Sequence, residues 1–76
     1  MKQIFITFNR NNEIKYEKQL DQITLSMRQA GIKRYLPMYE KDNKIWMYFY
    51  GEDSDVLVLK LIEPNVAQTK NPKFFS

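Results

Sequence analysis

The sequence predicts a small α+β sandwich, with two helices on one face of an antiparallel-dominated sheet. Three observations carry that expectation. The chain opens with a period-two run, in which Ile4, Ile6 and Phe8 alternate with Gln3, Phe5 and Thr7. A stripe at helical period follows, with Tyr16, Leu20, Ile23, Met27 and Ala30 spaced by four, three, four and three. Two aromatic-rich runs, residues 33–40 and 44–50, then flank Asp42-Asn43, a two-residue connection of the kind that closes a tight hairpin.

Taken in order, residues 2–8 read as a strand and Asn9-Arg10-Asn11-Asn12 as the loop after it. Residues 13–30 read as a helix. Asn11 or Asn12 is placed to cap its start, Glu13 and Glu17 lie where the helix dipole favours acid, and Arg28 lies where it favours base. Gly31 is placed for the left-handed position just past the end. A hairpin strand over 13–17 with a shorter helix behind it is the rival reading.

The hairpin is expected in a register that pairs Met38 with Met47 and Leu36 with Phe49 on one face. Tyr39 with Trp46, Pro37 with Tyr48, and Tyr35 with Tyr50 pair on the other. Pro37 has no N–H to give a ladder, so its strand belongs at a sheet edge.

Residues 53–63 carry strand-like Val56-Leu57-Val58-Leu59. They also have a cap-rich start at Asp53-Ser54-Asp55 and a stop at Pro64. Topology arbitrates. If the third strand lies between the first two, a further hairpin strand has no free side to pair with. A short, largely buried helix is therefore expected, followed by a weak last strand over 65–69 beside the first. The result is βαββα with a final β, the ferredoxin-like arrangement. It forms a single domain over 1–69, with 70–76 as a mobile tail.

Composition narrows the function classes. The 76 residues include no cysteine and no histidine. That removes disulfides, thiolate metal sites, cysteine nucleophiles and histidine acid–base schemes. A small chain must then build catalysis on shifted Lys, Glu or Tyr in a cleft it can barely enclose, so a non-enzymatic role without cofactor is expected. Ribonuclease chemistry based on Tyr, Arg and Lys is the route left open.

Glu52-Asp53-Ser54-Asp55 is the one acidic cluster that invites a metal reading. Its ligands would be consecutive, and helix N-terminal acids with a cap explain it more simply. The apolar run near the N-terminus is too short for a signal peptide core or a membrane span, so a cytoplasmic protein without membrane attachment is expected.

The net charge is +3 and unevenly spread. Residues 1–51 hold nine Lys/Arg against five Asp/Glu, and residues 52–63 hold four acids against Lys60. Such a body tolerates nucleic acid without demanding it.

The two faces of the sheet separate by chemistry. Ile4, Ile6, Phe8, Leu36, Met38, Ile45, Met47 and Phe49 should meet the helices. Phe5, Thr7, Tyr35, Tyr39, Trp46, Tyr48 and Tyr50 should then look outward, and contiguous exposed aromatics mark contact surfaces. A small regulator, inhibitor or adaptor, of the kind carried by phages or mobile elements, is expected to dock a protein partner through Phe5, Tyr35, Tyr39, Trp46, Tyr48 and Tyr50. A homodimer is one form of that interface.

Single-stranded RNA or DNA is the alternative occupant, with bases stacked on the rings and phosphates on the flanking Lys2, Lys33, Arg34, Lys41 and Lys44. The architecture resembles RNA-recognition sheets, although residues 44–50 lack the glycine pattern of those modules. A covered face, with the tail or residues 53–63 lying over the rings to make a second small core, is the third outcome. The tail itself, Lys70-Asn71-Pro72-Lys73-Phe74-Phe75, pairs two rings with two cations.

Overall fold

The computed structural model describes residues 1–33 and 35–75; the side chains of Tyr35, Leu36, Pro37 and Phe75 lie outside the described part, as do Arg34 and Ser76. The chain runs β1 (Lys2–Asn9), α1 (Tyr16–Gln29), β2 (Tyr35–Lys41), β3 (Lys44–Gly51), α2 (Asp53–Ile62), β4 (Ala67–Thr69) and a 3₁₀ turn (Lys73–Phe75). The sheet order is β2-β3-β1-β4, antiparallel throughout. Each helix therefore joins two strands that leave room for a third between them, which is the expected ferredoxin-like α+β arrangement.

The core lies between the helices and one sheet face. Ile4, Ile6 and Phe8 of β1 pair with Phe49, Met47 and Ile45 of β3, and all six are buried. Ile23 and Met27 of α1, with Val56 and Leu59 of α2, close over them, while Tyr16, Leu20, Ala30 and Met38 pack at the margin. The stripe read from the sequence is thus the buried stripe of α1. Leu36, assigned to the same face, has its side chain outside the described part.

Three local expectations are corrected. First, α1 begins at Tyr16 rather than residue 13, with Lys15 at the N-cap position and no side-chain cap. Asn11 instead accepts from the Glu13 amide within the loop, at 3.0 Å. This loop carries its own order. Gln19 is buried, and its side-chain oxygen accepts from Arg10 and from the Asn11 amide while its nitrogen donates to the Asn9 carbonyl, all within 2.9 Å. Arg10 also donates to the carbonyls of Asn11 and Ile14 and to Glu40 of β2. Backbone groups of the loop at Asn9, Asn11 and Ile14 are thereby satisfied by side chains of Arg10 and Gln19.

Second, the hairpin holds the expected register only near its tip. Asp42 and Asn43 both have positive φ, 56° and 59°, as a type I′ turn needs, and Tyr39 faces Trp46. Farther along, Tyr35 pairs with Phe49 and Leu36 with Tyr48, one residue out of the expected register. Pro37 and Met38 together span the place opposite Met47. A bulge is where a strand can carry a proline, because the extra residue leaves the ladder anyway.

Third, α2 is half-covered rather than largely buried. Val56 and Leu59 enter the core, whereas Leu57, Val58 and Leu61 are 67%, 44% and 86% exposed. Residues 73–75 form a 3₁₀ turn that sets the Phe74 ring against Trp46 on the sheet's second face.

The end of α1 matches the glycine reading. Gly31 has φ of 81°, the Ile32 amide donates to the Met27 carbonyl and the Gly31 amide to that of Arg28, both at 3.0 Å. This is a Schellman motif, and its apolar pair, Ile32 with Met27, is buried in the core.

Candidate functional site

The face opposite the helices is built by the alternate residues of β1 and β3. The register sets Phe5 opposite Tyr48 and Thr7 opposite Trp46, while Tyr39 of β2 lies beyond Trp46. Tyr39 and Tyr50 are 47% and 42% exposed, and Trp46 and Tyr48 are half-buried. The rings form two clusters. Tyr48 stands edge-on to Tyr50, with centroids 5.9 Å apart, and meets Phe5 at 5.7 Å. The other cluster begins two residues nearer the hairpin tip, about 7 Å along β3 from Tyr48 at the usual rise per residue, and gathers Tyr39, Trp46 and a ring from the tail.

That ring is Phe74. It stands edge-on to Trp46 at 5.3 Å and to Tyr39 at 5.9 Å. The Lys41 ammonium lies 4.7 Å from its centroid, within range of a cation–π contact. The Trp46 indole N–H donates to the Lys41 carbonyl at 2.9 Å, which fixes the indole as one wall of the notch. To reach this point from Thr69, which pairs with Phe5, the tail crosses β1. Phe5 and Thr7 are accordingly 9% and 6% exposed. Phe5, expected among the outward rings, is therefore a buried support for Tyr48. Tyr35 belongs to the same expected set, but its side chain lies outside the described part.

The basic flank does not gather around this face. Lys2 donates to Asp53 at 2.8 Å. That contact, chiefly its hydrogen bond, raises the pKa of Lys2. The same bond from Lys2, followed by one from Gln68, holds the Asp53 carboxyl below its ordinary value. Lys41 lies over Phe74, and Lys44 is exposed opposite it at the hairpin tip. Lys2 and Lys44 pair with opposite ends of the β1–β3 ladder, roughly 24 Å apart at the strand rise. Lys33 is exposed beyond the end of α1, and Arg34 lies outside the described residues.

The acidic run is spent on structure. The Asp55 carboxylate accepts from the Glu52 amide at 2.9 Å, half of a capping box that starts α2. Asp53 ties that helix to β1 through Lys2 and to β4 through Gln68. Among the described residues no group of three or more acids, histidines or cysteines could hold a metal ion, and no helix is long and apolar enough to cross a membrane.

Sequence reading missed two features. One is the Arg10–Gln19 network, whose only sequence signal is a polar residue beside an apolar stripe. The other is the outward apolar edge of α2, masked because every residue from Val56 to Ile62 except Lys60 is apolar, so no single face stands out. No family model, curated protein or solved structure matched the chain in comparisons with known proteins.

Proposed function

We propose that this chain is a small cytoplasmic, non-enzymatic binding protein that docks a protein partner through the aromatic face of its sheet, acting as a regulator, inhibitor or adaptor. The observation that carries this reading is the pair of half-exposed rings, Tyr39 and Tyr50, standing on a supported bed of Trp46, Tyr48 and Phe5. A tyrosine with a packed base and an exposed rim contributes area at small entropic cost, and such residues dominate interface energetics. The face is rigid because β1 and β3 lie inside the sheet and their reverse sides are core.

A protein partner is favoured over single-stranded nucleic acid by the placement of charge. A strand of phosphates needs cations along its track. Here Lys2 is paired with Asp53, Lys41 lies on a ring, and the two ends of the face are far apart.

The test uses Tyr50→Ala, a truncation at a half-exposed position. The variant should stay folded, with a stability loss in urea of no more than about 1–2 kcal/mol from the Tyr48 contact, while affinity for the partner captured by the wild-type protein falls by about 2 kcal/mol or more. Undiminished capture by the variant would sink the docking reading. Strong binding of oligo-dT or oligo-U that weakens steeply with salt would replace it with the nucleic-acid alternative.

A further inference from the structure

The outward row of α2 carries no charge. Val56 and Leu59 enter the core. At about 100° per residue, the opposite side of the helix presents Ser54, Leu57, Val58 and Leu61. Leu57, Val58 and Leu61 are 67%, 44% and 86% exposed. On α1, in the same layer, the outward Leu25 stands among exposed Lys18, Asp21 and Arg28, as on an ordinary solvated helix. An apolar row without such charges marks a contact surface. The tail does not cover it, because Phe74 lies across the sheet against Trp46.

The row fits a second copy of itself. In an antiparallel pair centred between Leu57 and Val58, the small Ser54 comes opposite Leu61 of the second copy, and Leu57 and Val58 approach their own counterparts near the two-fold axis. A parallel pair would set Leu61 on Leu61 and Ser54 on Ser54, crowding one end and leaving a gap at the other.

The charges of α2 favour the same orientation. At its start Glu52 pairs with the chain's ammonium, Asp53 with Lys2, and Asp55 with the Glu52 amide, so three acids meet two cations. At its end Lys60 is exposed, whereas Glu63 lies on the inner side, lining a notch with Phe8, Gln19 and Ile23. Asp53 and Lys60, seven residues apart, share one flank of the row. Antiparallel packing brings Lys60 of each copy to within about 3 Å, along the axis, of Asp53 of the other. It also opposes the helix dipoles.

Area sets the strength. At roughly 100 Å² of apolar side chain for a fully bare leucine or valine, the three residues offer on the order of 200 Å² per copy. A stable complex buries about 800 Å² per partner. Contact through a helix of 10 residues is therefore of the weak, reversible class.

We infer that α2 is a self-association face, through which two copies of this chain pair weakly by Ser54, Leu57, Val58 and Leu61 of antiparallel helices. The inference goes beyond the docking reading and does not depend on it. The helices and the aromatic rings lie on opposite sides of the sheet, so pairing through α2 leaves both aromatic faces outward.

The experiment follows mass by sedimentation equilibrium from about 10 μM to about 1 mM, with Leu57→Gln, Leu61→Gln and Tyr50→Ala beside wild type. Wild type should pass from monomer toward dimer across that range. Each glutamine variant should lower the association constant about tenfold, and Tyr50→Ala should match wild type. Thermal melts check that the variants fold, and the two glutamine variants test the row independently. The chain has no cysteine, so introduced ones report the orientation. A mixture of Ser54→Cys and Leu61→Cys should oxidise to the mixed disulfide faster than either variant alone forms its own.

A wild type that stays monomeric at the top of the range, a dimer unchanged by the glutamine variants, a dimer lost with Tyr50→Ala, or a preference for like-with-like disulfides would each overturn the inference. The two readings separate cleanly. The glutamine variants should still capture a docked partner, and Tyr50→Ala should still dimerise.

Discussion

Gly51 ends β3 and is buried, without a positive φ to explain the absence of a side chain. Space explains it. A Cβ built there would meet the Asp55 carboxylate and lie 2.9 Å from the Phe49 ring. Both neighbours are committed, Phe49 to the core and Asp55 to the Glu52 amide at the start of α2. Neither can yield without disturbing a strand or a helix terminus. Gly51→Ala should therefore lose about 1–3 kcal/mol of stability, the usual range for overpacking a filled site. The shift of the urea midpoint at constant slope measures it, and an unchanged midpoint would show that α2 can move away freely. Gln19 illustrates a different residue-level point. In the sequence it is one more polar residue on a helix, yet its amide joins Asn9, Arg10 and Asn11 and satisfies the loop that precedes that helix. Nothing local in the residue type announces such a role, because the partners are eight to ten positions away and come into reach only once β1 and α1 are packed.

At the level of elements, α2 is anchored through charge as well as through Val56 and Leu59. Lys2 at the start of β1 bonds Asp53 in the first turn of α2, and Gln68 of β4 donates to the same carboxylate. The sign of the pH dependence follows from the two directions of shift. Asp53 is held below its ordinary pKa, so its contribution is present above the unfolded value and is lost as pH falls through the folded one. Lys2 is raised, so its contribution is complete below the unfolded value and disappears as pH rises through the folded one. The pair is solvent-exposed, and salt will screen it. In Asp53→Asn the acid-side loss of stability should be shallower than in wild type, and the difference should shrink at high salt. Thermal melts across the acid range check this; identical profiles for the two proteins would show that the anchor is incidental. The hairpin shows where a pattern reaches its limit. Alternation correctly pairs Tyr39 with Trp46, because the type I′ turn sets the register from the tip. It fails beyond Pro37, because one inserted residue reverses the phase of everything behind it.

The whole molecule measures 34 × 28 × 17 Å, and the short dimension holds one helix layer on one sheet layer. A two-layer domain of 76 residues covers only one face of its sheet, so the other face and the outer sides of both helices stay at the surface. Here these surfaces differ in kind. The sheet face is aromatic and partly covered by its own tail, whereas α2 presents Leu57, Val58 and Leu61 outward. Those leucines make little of the fold. Leu61→Gln should leave thermal stability within about 0.5 kcal/mol of wild type and reduce any concentration-dependent self-association seen by light scattering. A strong loss of stability would show that Leu61 has a packing role in solution that its 86% exposure conceals.

By itself the sequence determined the order of elements, the buried stripe of α1, the glycine stop at Gly31, the tight turn at Asp42-Asn43 and the two-faced character of β1 and β3. Each of these is written in spacing or in a backbone preference, and both act over a few residues. Tertiary structure alone decided that Phe5 is buried while Tyr39 and Tyr50 remain exposed, that Lys2 is paired with acid rather than offered to a ligand, that α2 leaves three apolar residues outside, and that Phe74 lies on Trp46. These depend on contacts between residues far apart in the chain. Burial and pairing belong to the place where two segments meet, and period or propensity along either segment carries no record of that place.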